Sequence, residues 1–262
     1  MAIELLNMDC MDYMRDCEDN KFKITVTSPP YGNLRDYGDC EWTLEKSLNV
    51  ISEIYRVTSF GGVLVWNVSD QVLDGGESLH SFKQAIHAVQ CGFKLHDTMI
   101  WKKSGVNFPC PTRYHDSFEY MFVFVKGKIV EAEIIKDRPN IYHGHTFHGT
   151  DREKDGSTRK STNSGKGKKI PPFGARYNVW EIPNVGDKTI KHPAKFPIQI
   201  PFDHMRTWGY GGLAFDPFLG SGTSAIAAHK AGLNFVGTEL DEDYYKAACE
   251  RFDRETAQQD MF

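Results

Sequence analysis

"GLAFDPFLGSGTSAIAAHKAGLNFVGTELDEDYYKAACERF", residues 212–252, reads as strand, glycine loop, helix, strand and helix, and this alternation decides the fold class. The apolar run ends at Asp216, Gly220 and Gly222 follow, and a helix is predicted to begin near Ser221 to Thr223. Glycines let a backbone pass close to a ligand, and the start of a helix offers free N–H groups to a carboxylate or phosphate. Glu239 ends the next strand, where a carboxylate can accept two hydrogen bonds from ribose hydroxyls. A nucleoside ligand is implied. The loop also fits the G-x-G-x-x-A form of the dinucleotide fingerprint, so on this segment alone a nicotinamide (NAD) oxidoreductase is a rival reading. The G-K-[ST] ending of a phosphate-cradling nucleotidase loop is absent. Only about forty residues follow the loop, too few for the rest of a dinucleotide-binding sheet, so the remaining strands must precede it.

Working backwards, the earlier chain alternates in the same way. "FKITVTS" at 22–28 reads as a strand, and Leu44, Leu48, Ile51 and Tyr55 recur at helical spacing until Gly61 and Gly62, which are expected to stop the helix. "VLVWNV" at 63–68 is the next strand. Leu79, Phe82, Ile86 and Val89 mark a second amphipathic helix closed by Gly92, and "KLHDTMIWKK" and "FEYMFVFVK" read as further strands. From about 127 to 190 the regularity fails. The expectation is therefore one α/β domain over 1–262, with a Rossmann-like, doubly wound and mostly parallel sheet, interrupted at 127–190 by an insertion.

A chain of 262 residues with 40% apolar and 25% charged side chains can bury the core of such a domain. The amino terminus lacks the basic, apolar and small-residue sequence of a secretion signal, and no stretch approaches a membrane span, which predicts a cytoplasmic protein. Six cysteines at irregular spacings, with no CxxC pair, predict reduced thiols and no metal site. The net charge of −4 conceals an asymmetry, because residues 152–176 hold eight Lys or Arg against two acids. By composition alone that stretch is a solvated loop.

"TSPPY" at 27–31 puts a rigid, apolar hook at the end of a strand. Taken with "FDPFLGSGT" at 215–223, it resembles the amino-group DNA methyltransferases, which use S-adenosylmethionine to methylate N6 of adenine or N4 of cytosine. The order, catalytic hook first and cofactor loop last, resembles the β group of that family. "HPAKFP" at 192–197 and "NMDCMDYM" at 7–14 are similar to its cofactor-flanking and lead-in motifs, so the resemblance covers nearly the whole chain outside 127–190. It implies a prokaryotic or phage modification enzyme acting on double-stranded DNA. A homodimer and a cognate restriction endonuclease are the further partners it admits.

The residue types suit that chemistry. An exocyclic amine is a poor nucleophile because its lone pair is delocalised into the ring, so acceptors must be aimed at its hydrogens. The resemblance assigns this to the Ser28 hydroxyl and the Pro29 carbonyl, with Pro30 fixing the backbone and Tyr31 stacking on a base flipped out of the duplex. It implies Asp216, Phe218, Gly220, Gly222 and Thr223 around the methionine part of the cofactor. Glu239 takes the ribose, Asp9 the adenine end, and His192 and Lys195 the carboxylate side. In family terms Ser28 leans towards cytosine N4, where Asp would lean towards adenine N6. Recognition of DNA falls to the insertion, through Arg159, Lys160, Lys166, Lys168, Lys169 and Arg176, with Lys102 and Arg113 outside it. Two rival sites are weaker: a Pro-Cys pair at 109–110 of the kind a C5 nucleophile needs, and His143, His145 and His148 as zinc ligands. A non-catalytic DNA-binding module that keeps the fold is the remaining alternative.

Overall fold

The computed structural model describes residues 1–30, 42–105, 111–146, 149–160, 167–184 and 197–257. Tyr31, Lys166, His192 and Lys195, together with the Pro-Cys pair and His148, lie outside them. The chain divides into two compact units, Met1–Glu133 with Asn178–Phe262, and Ile134–Tyr177.

The larger unit is built on one sheet. Its strands are β1 (Ile3–Asn7), β2 (Phe22–Thr27), β3 (Thr58–Val68), β4 (Phe93–Ser104), β5 (Phe118–Lys126), β6 (Val179–Pro183), β7 (Leu213–Asp216) and β8 (Asn234–Glu239). They lie in the order β1-β8-β7-β2-β3-β5-β4-β6. Neighbours pair in parallel except around β5, which runs against both β3 and β4. The strand that carries the glycine loop, β7, thus lies beside β2, which carries the hook, although most of the chain separates them. The strands that complete the sheet thus precede the loop, as the shortness of the chain after it requires.

The helices are α1 (Cys10–Arg15), α2 (Leu44–Val57), α3 (His80–Cys91), α4 (Gln199–Trp208), α5 (Thr223–Ala231) and α6 (Glu242–Ala257). Both faces of the sheet are covered, as the unbroken apolar runs of its central strands require. One buried cluster joins Ile24, Val26, Val63 and Val123 to Ile200, Met205 and the alanines of α5. The other joins Phe22, Leu64, Trp66, Phe124 and Phe215 to Met14, Ile51, Ile54 and Ala88. Among the described residues no helix is long and apolar enough to cross a membrane.

Two local expectations need correction. Gly61 and Gly62 do not stop α2, which ends at Val57; both lie inside β3. A Cβ on Gly62 would meet the Ser59 and Lys23 carbonyls at 2.8 and 3.0 Å, so the glycine serves close strand packing there. The second helix forms where predicted, but Leu79, Phe82, Ile86 and Val89 are exposed, while Ser81, Gln84, Ala85 and Ala88 face the core. The reason is a polar chain through the interface. The Trp66 indole donates to Gln84 at 3.0 Å, Gln84 donates to Ser47 at 3.0 Å, and Ser47 donates to the Leu44 carbonyl at 2.6 Å. Small residues and one satisfied amide therefore make the contact with α2, and the bulky apolar side chains are left outside.

Among its described residues the smaller unit contains two short ribbons and an isolated bridge between Thr146 and Lys169. Phe173–Gly174 pairs with Arg138–Pro139, and Thr158–Lys160 pairs with Thr150–Arg152. The Arg176 amide donates to the Ile135 carbonyl at 2.9 Å, so the two ends of this unit meet.

Candidate active site

The carboxyl ends of β2, β7 and β8 meet at one edge of the sheet, the position at which open α/β sheets bind ligands. At the end of β2 the Thr27 hydroxyl donates to Asp216 at 2.6 Å, across 189 positions of sequence. The Phe218 amide donates to the same oxygen at 3.0 Å, and the Ser224 hydroxyl donates to the other. Asp216 is fully buried, and burial raises its carboxyl above the ordinary aspartate range against the lowering effect of these three bonds. Its expected contact with the methionine part of a cofactor is therefore corrected. Asp216 is the internal strut that fastens the hook strand to the glycine loop and to α5.

Gly220 and Gly222 both take left-handed backbone, with φ of 52° and 78°. A Cβ on Gly222 would also crowd the Ala248 carbonyl at 3.2 Å, so a side chain here is disfavoured by backbone conformation and by space. Gly222 is the N-cap of α5 and, lacking a side chain, provides no cap, so the first turn keeps donors available to an anionic group. Thr223 is nearly buried. The Arg251 guanidinium, reaching over from α6, donates to its hydroxyl at 2.9 Å and to the Ser221 carbonyl and hydroxyl at 2.9 and 3.2 Å. Sequence reading missed Arg251, because nothing in the helical pattern of α6 distinguishes a loop brace from a surface charge.

Glu239, half-buried at the end of β8, accepts from the Gly220 amide at 2.8 Å and from the Asp241 amide at 3.0 Å. Burial raises its carboxyl, partly offset by these two bonds. Each oxygen accepts one bond here and retains a further lone pair. Asp9 caps α1, accepting from the Met11 amide at 2.7 Å, and the adjacent β1 pairs Asn7 with Glu239. Burial and the neighbouring Asp9 push the Cys10 thiol up to about 12, so it is inert.

Ser28, Pro29 and Pro30 continue directly from β2. Beside Pro30 lies an open hollow, lined by Trp42, Thr43 and Leu44 at the start of α2, by Val68, Ser69 and Gln71 after β3, and by Ser78, His80 and Gln84. Phe218 of the glycine loop packs edge-on against Trp42, with ring centroids 5.1 Å apart. Hook, loop and hollow thus adjoin. Trp42 and Gln71 are wall residues that carry no sequence signature of their own.

The expected DNA contacts divide. Lys102 is paired with Glu181, Arg159 with Glu153 and Arg176 with Asp137, while Arg113 bonds the Gly75 carbonyl. In the folded chain these four cations therefore have local structural partners. Lys160, Lys168 and Lys169 are exposed and have no ion pair among the described residues. His143 and His145 belong to no metal-binding cluster among those residues.

The profile of the DNA methylase family, covering N6 and N4 methyltransferases, matches residues 22–250. The orphan methyltransferase M.BamHII of Bacillus amyloliquefaciens is 40% identical over 237 residues, 87% of this chain and 87% of its own. Among solved structures, the PvuII DNA methyltransferase (cytosine-N4-specific) superposes with a TM-score of 0.70 over 98% of this chain and 91% of its own, at 18% identity. A putative DNA modification methylase of Thermus thermophilus, in complex with S-adenosyl-L-methionine, gives 0.64 over 97% and 94%, at 23% identity. At these identities the two structural matches speak for the fold.

Proposed function

Because the chain belongs to the DNA methylase family of N6 and N4 amino-methyltransferases, we propose that it transfers a methyl group from S-adenosylmethionine to cytosine N4 in duplex DNA. The observation that carries this reading is the Thr27–Asp216 hydrogen bond, which joins the hook strand to the glycine loop at a single edge of the sheet.

The donor set fits the cofactor. Glu239 has lone pairs for ribose hydroxyls, and the uncapped start of α5 has donors for the methionine carboxylate. Asp9 and the end of β1 flank the adenine side. When bound, the cofactor supplies a sulfonium methyl, an electrophile that needs no covalent enzyme intermediate. The chain orients the nucleophile. Ser28 and the Pro29 carbonyl accept hydrogen bonds from the amino hydrogens, which turns the nitrogen lone pair out of ring conjugation and towards the methyl carbon. The proline pair keeps that carbonyl fixed, so little reorganisation accompanies the reaction. The hollow beside Pro30, with Trp42 as its aromatic wall, receives the flipped base and offsets its lost stacking. Ser28 at the first hook position favours cytosine.

Labelled cofactor and duplex DNA, followed by digestion to nucleosides, test the reading. Labelled N4-methylcytosine is expected. N6-methyladenine overturns the choice of base, and 5-methylcytosine overturns the role given to the hook.

A further inference from the structure

The ribbon of the smaller unit has two unlike faces. It pairs Thr158 with Arg152, Arg159 with Asp151 and Lys160 with Thr150. Cross-strand partners share a face, and successive residues alternate between faces. One face therefore carries Arg152 and Lys160 with Thr150 and Thr158, and the other carries Arg159 with Asp151. Glu153, two places beyond Asp151 and on its side, holds the Arg159 guanidinium, so that face neutralises its own cation. Arg152 and Lys160 are exposed and have no acidic partner among the described residues.

The turn holds this register. The Glu153 amide donates to the Ser157 carbonyl at 2.8 Å, and the Gly156 amide to the Glu153 carbonyl at 3.0 Å. The Ser157 amide and hydroxyl both donate to Asp155, at 2.9 and 2.7 Å. Those bonds hold the Asp155 carboxyl below its ordinary range. The ribbon's acids are thus engaged in the turn and on the far face.

Resting on the function proposed above, we infer that the Arg152–Lys160 face of this ribbon lies along the phosphate backbone of duplex DNA, and that Arg159 does not contact it. Charge complementarity carries the assignment. The chain is net negative, so attraction to a polyanion needs a local surface on which cations are left uncompensated. A guanidinium fork matches phosphate oxygens in pairs, an ammonium acts as a point charge, and threonine hydroxyls add donors between them. A two-stranded ribbon is also narrow enough to enter a major groove.

The test uses the whole protein and a fluorescein-labelled, mixed-sequence DNA duplex of about three helical turns, with affinity read by anisotropy across a salt series. The double variant Arg152→Ala, Lys160→Ala is expected to bind roughly tenfold more weakly, with a log–log salt slope reduced by about two. Arg159→Ala is expected to keep the wild-type affinity and slope. A double variant indistinguishable from wild type, or a loss that falls on Arg159→Ala instead, overturns the assignment. Methyl transfer is measured in parallel, with the double variant raising KM for DNA and keeping kcat at saturating DNA. If the wild type methylates no DNA while binding still divides between the two faces, the proposed function fails and this surface stands.

Discussion

Asp216 shows how one buried carboxylate decides the geometry of the site. Its two oxygens answer three donors from the hook strand, the loop and α5. Asp216→Ala strands all three in an apolar joint and is expected to cost about 3 kcal/mol or more by denaturant unfolding. Asp216→Asn keeps one acceptor oxygen for Thr27 and Phe218, and the Ser224 hydroxyl can rotate to accept from the new amide, so the expected cost is about 1 kcal/mol. Both variants also remove the titrating group, and with it a pH response. Burial raises the Asp216 carboxyl, so the folded state takes up a proton more readily than the unfolded chain. Stability then falls as pH climbs from the unfolded carboxyl value through the folded one, and levels off above it. Asp216→Asn should flatten that fall in melting temperature measured against pH, leaving the share due to Glu239, which is raised for the same reason. Arg251 is a brace of another kind, acting on the loop from outside. Arg251→Ala releases the Ser221 carbonyl and the Thr223 hydroxyl, and is expected to weaken cofactor binding by about 1 kcal/mol, roughly fivefold in Kd by calorimetry, with kcat retained.

Among the helices, α3 inverts a rule that serves well elsewhere in the chain. Helical spacing of Leu79, Phe82, Ile86 and Val89 located the helix correctly and its buried face wrongly, because periodicity reports which residues share a side and not what that side meets. The side facing α2 must admit the Gln84 amide that partners the Trp66 indole, and small neighbours bring the helices close enough for that bond. Thermal unfolding should therefore separate the two faces. Ile86→Lys and Val89→Lys are expected to change stability by no more than about 0.5 kcal/mol, whereas Ala88→Leu, on the bland-looking face, overpacks the interface and costs about 1–3 kcal/mol. The same contrast explains what was legible in the glycine loop. Gly220, Gly222 and Glu239 are readable because backbone conformation and strand-end position leave a mark on residue type. Arg251, Trp42 and Gln71 act through tertiary proximity alone and leave none. Cations were the least legible, since Arg159 and Arg176 look alike in sequence to Lys160 until their acidic partners are located.

Across the whole chain, the order of motifs and the order of strands are separate matters, and only the first is visible in sequence. The shortness of the chain after the glycine loop required strands from upstream, yet the placement of β2 beside β7, and the reversed β5 between β3 and β4, follow from packing. Among the described residues, neither the sheet nor either of its buried clusters includes a residue of the segment Ile134–Tyr177. That segment closes on itself at its stem, where the Arg176 amide meets the Ile135 carbonyl and the Arg176 guanidinium pairs with Asp137, holding that carboxyl below its ordinary range. Insertions whose ends meet can be removed with a short loop at small entropic cost. Replacing residues 137–174 by a few Gly and Ser residues should therefore leave a chain that unfolds cooperatively and binds S-adenosylmethionine with the wild-type Kd. Its DNA affinity should fall and its salt slope should shallow, because Arg152, Lys160, Lys168 and Lys169 all lie in the removed stretch. Loss of cofactor binding in that variant would mean that the segment supports the sheet, whereas retained DNA affinity would mean that the phosphate contacts lie on the larger unit.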